Sequence, residues 1–279
     1  MSKFDPEKAL MAKQEKEEGD LSDSEDSLWK KIRGNSENDK LDMDSFQDIY
    51  PKSEIDKDKQ KVQSLEANFD RTIKRLSELL ERTLVEEINE SDWFGGGSRA
   101  INTTDHDDYL NHSDLVVEWP EEDGSTTKLA LDTSVTNKED VMSRKAGKIM
   151  DELDQRKGTT IKYFQSRFTE EKGKVDNVPS AVLALDRESL DNFSQFLVSS
   201  KPEDIEKSTL STDMMACVYD QMEAQIKILE EKKATGSEIY KNLKKVSDKI
   251  FAITEKESSL RNKEPEDEVN LAELEFRPN

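Results

Sequence analysis

The sequence contains few of the residues that covalent, redox or zinc chemistry would require. Its 279 residues include one cysteine, Cys217, and two histidines, His106 and His112. A single cysteine cannot form an internal disulfide bond, which is the pattern expected in a reducing compartment. Cys217 is too far along the chain to suggest a zinc site with the histidines, and no serine stands in a nucleophile elbow. These absences exclude an internal disulfide bond and disfavour a zinc site and a serine hydrolase.

Long apolar segments and an excess of positive charge are also missing. No apolar run approaches the roughly 18–20 residues that cross a bilayer, and residues 1–20 lack the apolar core of a secretory signal. We therefore expect a cytoplasmic protein with no membrane association. Lys and Arg number 42 against 63 Asp and Glu, for a formal charge of -21. Such a surface repels phosphate backbones, so nucleic-acid binding would need metal ions or a local basic surface.

The two ends of the chain have the composition of disordered tails. Hydrophobic residues make up 33% of the sequence and charged residues 38%, which is polar for a fully packed protein. We predict a disordered acidic tail over residues 1–60 and a second tail over residues 259–279. Alternatively, the N-terminal tail folds on a protein partner, with Trp29 as its anchor.

Residues 61–200 have the periodicity of an α/β domain. Apolar residues recur at helical spacing from Leu65 to Ile88, and the helix is predicted to end before Gly95. Three strands, a helix and two further strands are predicted after it, at 98–104, 114–119, 129–135, 139–157, 161–164 and 181–185. The second and third strands should pair antiparallel, because the link between them is too short for a crossover. The pattern predicts a central mixed sheet.

Two further helices predict a helical hairpin over residues 201–258. They span about 204–233 and 237–257, with a break near Gly236, and each carries one apolar stripe. The stripes could pack on the α/β domain, which we favour, or they could mediate self-association or the binding of a protein partner.

Three carboxylates occur where packing would favour apolar side chains. Glu87 projects onto the apolar stripe of the first helix, Asp114 opens a strand, and Asp132 interrupts an apolar strand. If the two strands pair, Asp114 and Asp132 lie near one end of the sheet, where Glu87 could join them. Clustered carboxylates suit Mg²⁺ or Mn²⁺. For Glu87 the alternative is a wet helix end from which the side chain reaches solvent.

The order of these elements resembles the PD-(D/E)XK nuclease, or restriction-endonuclease-like, superfamily. The resemblance covers residues 61–200 and rests on the sequence of helix with Glu87, strand with Asp114, hairpin, strand with Asp132, helix and strand. It implies an αβββαβ core in which these three acids bind Mg²⁺ or Mn²⁺ and support hydrolysis of nucleic acid.

Two positions depart from the pattern of this family. The family lysine, two residues after the second acid, is Ser134, and the proline before the first acid is Ser113. Some members of the family recruit the lysine from another element. Lys145, on the helix after Asp132, is the candidate that we favour for that catalytic place, followed by Lys128.

An acidic segment precedes the second strand. Eight carboxylates and neither Lys nor Arg lie between Asp105 and Asp123. Tyr109 and Leu110 stand where an EF-hand would need a ligand and a glycine, so a calcium loop is disfavoured. We expect a solvated acidic loop at 105–112.

Two functions are open on the sequence. The first is a Mg²⁺- or Mn²⁺-dependent nuclease, which the three carboxylates favour. The alternative is a catalytically inactive interaction or scaffold protein with a nuclease fold, which Ser134 and the charge of -21 favour.

Overall fold

The computed structural model describes residues 21–32, 40–66, 71–136, 138–201, 204–205 and 208–261. The helices are α1 (Asp23–Ile32), α2 (Lys52–Glu66), α3 (Arg71–Ser91), α4 (Asp105–Asn111), α5 (Glu139–Asp154), α6 (Arg187–Ser199), α7 (Leu210–Glu231) and α8 (Glu238–Arg261), with a 3-10 helix at Met43–Phe46. The strands are β1 (Arg99–Asn102), β2 (Leu115–Pro120), β3 (Thr126–Val135), β4 (Thr159–Gln165), β5 (Lys172–Val178) and β6 (Ser180–Leu185). The predicted α/β class is confirmed.

Four strands form the central sheet in the order β1-β2-β3-β6. β1 pairs antiparallel with β2 and β2 with β3, whereas β3 and β6 are parallel. The predicted antiparallel pairing of β2 with β3 is confirmed, with Leu115 opposite Leu131. Parallel neighbouring strands need a long crossover connection. Here α5 follows β3 and forms the first part of the connection from β3 to β6.

The two faces of the central sheet are covered by different elements. Alternate residues of a strand point to opposite faces. Leu129 and Leu131 belong to the large core with the helices, whereas Ala130 packs with Ile161 and Phe164 of β4. β4 pairs with β5 in a separate two-stranded sheet. The sequence did not predict β5 because its residues, KGKVDNV, are mostly polar.

The prediction of a disordered N-terminal tail is wrong for the part of it that the structure describes. Leu28 of α1, Phe46 of the 3-10 helix and Ile55 of α2 are fully buried. α1 packs against α6, where Arg187 donates a hydrogen bond to the buried Glu25 over 2.7 Å. The low hydrophobic fraction concealed this packing, because a short amphipathic helix needs only a few apolar residues on one face to dock.

The remaining predicted tails are only partly covered by the structure. Residues 1–20 of the N-terminal tail and residues 262–279 of the C-terminal tail lie outside the described residues. α8 continues to Arg261, so the second helix of the hairpin extends beyond the boundary predicted at residue 258.

α7 and α8 form the predicted helical hairpin, but they share the core of the α/β domain. Val218 of α7 and Val246 of α8 belong to the same cluster as Leu131 of β3. α7 also covers β6: Gln221 accepts a hydrogen bond from Val182 N and donates one to Val182 O. The boundary predicted at residue 200 therefore does not separate two cores. None of the described helices is both long and apolar enough to cross a bilayer.

Candidate functional site

Asp114 and Asp132 lie side by side where β2 begins. The register of β2 and β3 ends with Leu115 opposite Leu131, and Asp114 and Asp132 are the next residues of the two chain segments beyond that pair. The Asp114 N–H donates to Leu131 O over 2.9 Å. Asp114 Oδ2 accepts hydrogen bonds from Thr133 N at 2.6 Å and from Thr133 Oγ1 at 2.9 Å, which fix the carboxylate against β3. The structure brings these two acids together, as the hairpin predicted.

Lys145 of α5 forms an ion pair with Asp132. Its Nζ lies 2.5 Å from Asp132 Oδ1 and also donates to Thr133 O over 2.6 Å. Both side chains are largely buried, with 15% and 10% of their surfaces exposed. Lys128, the second lysine considered from the sequence, pairs instead with Glu171 over 2.7 Å.

Position 134, where the resemblance implied a lysine, carries a neutral side chain. Ser134 is buried on β3, two residues after Asp132 and therefore on the same strand face. The positive charge next to Asp132 comes from Lys145 and not from this position.

The third carboxylate at the site is Glu81, whereas Glu87 lies elsewhere on α3. Carboxylate oxygens of Glu81, Asp108 and Asp114 lie within 4.8 Å of one another, and we call these three residues the acidic cluster. Glu87 lies six positions after Glu81. It is therefore rotated by about 120° around the helix axis and shifted by about 9 Å along it. Glu87 accepts a hydrogen bond from Ser91 at 2.8 Å. The structure corrects the sequence prediction: Glu81 is the α3 carboxylate at the site.

Asp108 reaches the acidic cluster from α4, which the sequence predicted as an acidic loop. The Thr104 side chain caps this helix by accepting from Asp107 N, and three acidic residues occupy its first turn. Carboxylates are favourable at that end of a helix. His112 ends α4 with a left-handed backbone, φ 51°. The spacing Thr104-x-x-Asp107 is the sequence signal that could have identified the helix.

A lysine that precedes the 3-10 helix enters the acidic cluster. Lys40 Nζ lies 2.5 Å from Asp108 Oδ2, 3.4 Å from Asp105 Oδ1 and 3.8 Å from Glu81 Oε2. The site therefore contains an internal cation. It comes from the predicted tail, and no local pattern in the sequence indicates its position.

Glu81, Asp114 and Asp132 are buried, Asp108 is partly buried, and the four carboxylates are crowded. Burial is the largest cause of a raised pKa at four of them: Glu81, Asp108, Asp114 and Asp132. Repulsion adds to burial, since Asp114 further raises the pKa of Glu81 and of Asp108. The ammonium groups of Lys40 and Lys145 offset these effects only in part. Burial alone would lower the pKa of Lys145, but the neighbouring carboxylates outweigh it and raise that pKa.

Cations line the side of the site formed by α5. Lys148, one turn after Arg144, donates a hydrogen bond to Asn111 O. The pKa of His112 is lowered to about 4, first by burial and then by the charges of Lys148, Lys145 and Arg144. His112 is therefore neutral near pH 7, and the positive charge on this side comes from α5.

The donor atoms of the acidic cluster are all hard carboxylate oxygens. Such donors suit Mg²⁺ and Mn²⁺. Their spacing of at most 4.8 Å is close to the distance of about 4.2 Å between opposite ligands of a six-coordinate Mg²⁺. No family model, curated protein or solved structure matches the chain. The chemistry of the site is thus the basis for assigning a function.

Proposed function

We propose that the protein is a metal-dependent nuclease of the PD-(D/E)XK type, which hydrolyses phosphodiester bonds in nucleic acid. The observation that carries the proposal is the Asp132–Lys145 ion pair beside Asp114, where β2 begins. The order α3, β1, β2, β3, α5 and β6, with β3 parallel to β6, supports a restriction-endonuclease-like core. Glu81 of α3 takes the place that the resemblance gave to an acid on the first helix.

The acidic cluster and Asp132 together are proposed to hold Mg²⁺ or Mn²⁺. When bound, such a metal polarises a phosphoryl oxygen and lowers the pKa of a water molecule. The four carboxylates face two lysines, Lys40 and Lys145, so negative charge remains for a divalent cation. A divalent cation would also relieve the repulsion that raises the pKa values of these acids.

Lys145 is the residue proposed to stabilise the reacting phosphate. Asp132 and Thr133 O both accept hydrogen bonds from its ammonium group, which fixes its position before a substrate binds. In the hydrolysis, a water oxygen forms a bond to phosphorus, and the bond from phosphorus to the leaving sugar oxygen breaks. The water proton passes to solvent, and the leaving oxygen takes up a proton from solvent.

The cations of α5 indicate where the nucleic-acid backbone would lie. Arg144 and Lys148 are one turn apart and therefore share a helix face, next to Lys145. The overall charge of -21 disfavours phosphate contacts over the rest of the surface. We infer that the substrate strand contacts α5 and enters the site from that side.

Binding of Mn²⁺ to the full chain tests the metal site. We expect calorimetry to show binding to the wild type and its loss in Asp114→Asn. At a hundredfold excess over the dissociation constant, Mn²⁺ should stabilise the wild type by about 2.7 kcal/mol through mass action. Asp176→Asn is the control, because the Asp176 side chain is half exposed on β5 and pairs with Lys174. A wild type with neither binding heat nor thermal stabilisation would reject the metal site.

Cleavage assays test the role of Lys145 separately. With Mg²⁺ or Mn²⁺ and single-stranded DNA, duplex DNA or RNA, Lys145→Met should lower the rate on the order of a hundredfold. Binding of Mn²⁺ should persist in this variant, because the metal ligands remain. Lys128→Met serves as the control, since Lys128 pairs with Glu171 and not with Asp132. If the wild type binds the metal but cleaves none of these substrates, the proposed nuclease activity is wrong.

A catalytically inactive interaction protein is the second candidate function. The position of Lys40 favours it, because an ammonium group inside the acidic cluster neutralises part of its charge without a metal. On this alternative, Mn²⁺ changes neither the stability nor the structure of the wild type, and no substrate is cleaved.

A further inference from the structure

We propose that Lys40 is a built-in competitor of the divalent metal, and that its ammonium group must leave the acidic cluster before the metal binds. This inference rests on the proposed function, because it concerns regulation of the same site. It assigns a role to a residue that lies outside the αβββαβ core.

The position of the ammonium group is that of a cation bound by carboxylates. Lys40 Nζ contacts Asp108 at 2.5 Å, lies 3.8 Å from Glu81, and thus approaches two of the three members of the acidic cluster. The lysine side chain is mostly shielded from solvent, with 23% exposed. An isolated surface lysine gains little from an ion pair, but these carboxylates are buried and repel one another.

The backbone next to Lys40 is held in place by the residues that follow it. Leu41 packs against two apolar clusters, Asp42 caps the 3-10 helix, and Met43 and Phe46 are buried. The packed segment therefore positions Lys40 next to the acidic cluster. Its long side chain can swing away by rotation about its own bonds, without unfolding that segment.

The ammonium group and a divalent metal cannot share the cluster. Oxygen ligands lie about 2.1 Å from Mg²⁺, whereas the ammonium nitrogen stands 2.5 to 3.8 Å from the same kind of oxygen. A metal that draws Glu81, Asp108 and Asp114 together would occupy the space of Nζ and repel its charge. The ammonium group in the cluster therefore lowers the apparent affinity of the site for the metal, and a bound metal disfavours this position of the ammonium group.

The affinity of the site for Mn²⁺ should report this competition. If Lys40 occupies the cluster in about nine molecules of ten, removing its charge tightens the apparent binding of Mn²⁺ about tenfold. Calorimetry should show this gain in Lys40→Met, which keeps the length of the side chain, and little change in Lys40→Arg, which keeps the charge. Lys59→Met is the matched control, because Lys59 pairs with Asp44 at the surface of the same region.

The outcomes separate this inference from the proposed function. Equal binding of Mn²⁺ to the wild type and Lys40→Met overturns the role of Lys40 and leaves the metal site intact. Binding to neither protein rejects the metal site and the competition together. Tighter binding of Mn²⁺ to Lys40→Met than to the wild type supports the competition.

Chemical labelling of the wild type gives a test that needs no variant. Acetylation of lysines, read by mass spectrometry, should become several-fold faster at Lys40 when Mn²⁺ saturates the protein. Lys162 provides the internal control, because it is similarly shielded, at 18% exposed, but pairs with Asp58 and Glu54 away from the acidic cluster. Reactivity of Lys40 that does not respond to bound Mn²⁺ overturns the proposal.

Discussion

Two groups of buried or partly buried carboxylates meet at α4, and they differ in their hydrogen-bond partners and in the direction of their pKa shifts. The consecutive residues Asp107 and Asp108 belong to different groups. Asp107 accepts hydrogen bonds from Lys162 N at 2.7 Å and Tyr163 N at 2.9 Å, and so joins α4 to β4. Asp58 accepts from the side chains of the same two residues, and we call Asp58 and Asp107 the β4 anchor. Asp108 belongs to the acidic cluster.

The two groups differ in the number of hydrogen-bond donors that surround the carboxylates. Burial would raise the pKa of Asp58, but hydrogen bonds from Lys162, Lys61 and Tyr163 outweigh it and lower that pKa to about 2. In the acidic cluster, burial and mutual repulsion dominate, and the pKa values are raised. Carboxylates that stabilise a fold are surrounded by hydrogen-bond donors, whereas crowded carboxylates with fewer donors keep unbalanced charge and are candidates for cation binding.

The largest expected effect is at the β4 anchor. Asp58→Asn removes one of the two carboxylates that pair with Lys162, and losing the buried charge of such a pair is costly. We expect the free energy of unfolding in denaturant to fall by about 3 kcal/mol. Asp44→Asn, in the exposed pair with Lys59, should cost much less, because solvent screens that pair. Equal losses in the two variants would remove the contrast between buried and exposed pairs.

The pH dependence of the free energy of unfolding should reveal the contribution of Asp58. Because the pKa of Asp58 falls from 3.8 to about 2 on folding, its contribution is present above pH 4 and is lost as the pH falls toward 2. The contribution is about 2 kcal/mol. The stability difference between the wild type and Asp58→Asn should therefore shrink from pH 5 to pH 2. A difference that stays constant over this range would contradict the lowered pKa.

The smallest expected effect is in the acidic cluster and has the opposite sign. A carboxylate with a raised pKa destabilises the folded state when it is charged, so Glu81→Gln should stabilise the metal-free protein at pH 7. We expect a gain on the order of 1 kcal/mol in denaturation with EDTA present. The same variant should lose most of the stabilisation by Mn²⁺. Destabilisation in EDTA would show that Glu81 is a structural acid like Asp58.

The central sheet could be predicted from the sequence because its strands carry regular apolar patterns. Leu115 to Val117 and Leu129 to Leu131 form short apolar runs bounded by turn residues, which set the pairing and place Asp114 and Asp132 at the same end of it. Lys145 could be found as well, because it lies on the helix directly after β3. These features depend on neighbours in the chain.

Glu81 could not be chosen over Glu87 in this way. The prediction assumed one apolar stripe on α3, but residues all round several of its turns are buried, including Thr83 and Val85. A helix covered on several sides offers no single face from which to select an acid. Lys40 was missed for a related reason, since its partners are fixed by tertiary packing and not by spacing.

The contact between Gln221 and Val182 has a consequence for assembly. β6 lies at the edge of the central sheet, and an edge strand presents unpaired N–H and C=O groups that can recruit a strand from another chain. Gln221 bonds to both of these groups of Val182, and Gln225 donates to Ser180 O. Two glutamines of α7 thus occupy positions that a fifth strand would need. The helical hairpin closes the sheet on this side and protects it against edge-to-edge aggregation.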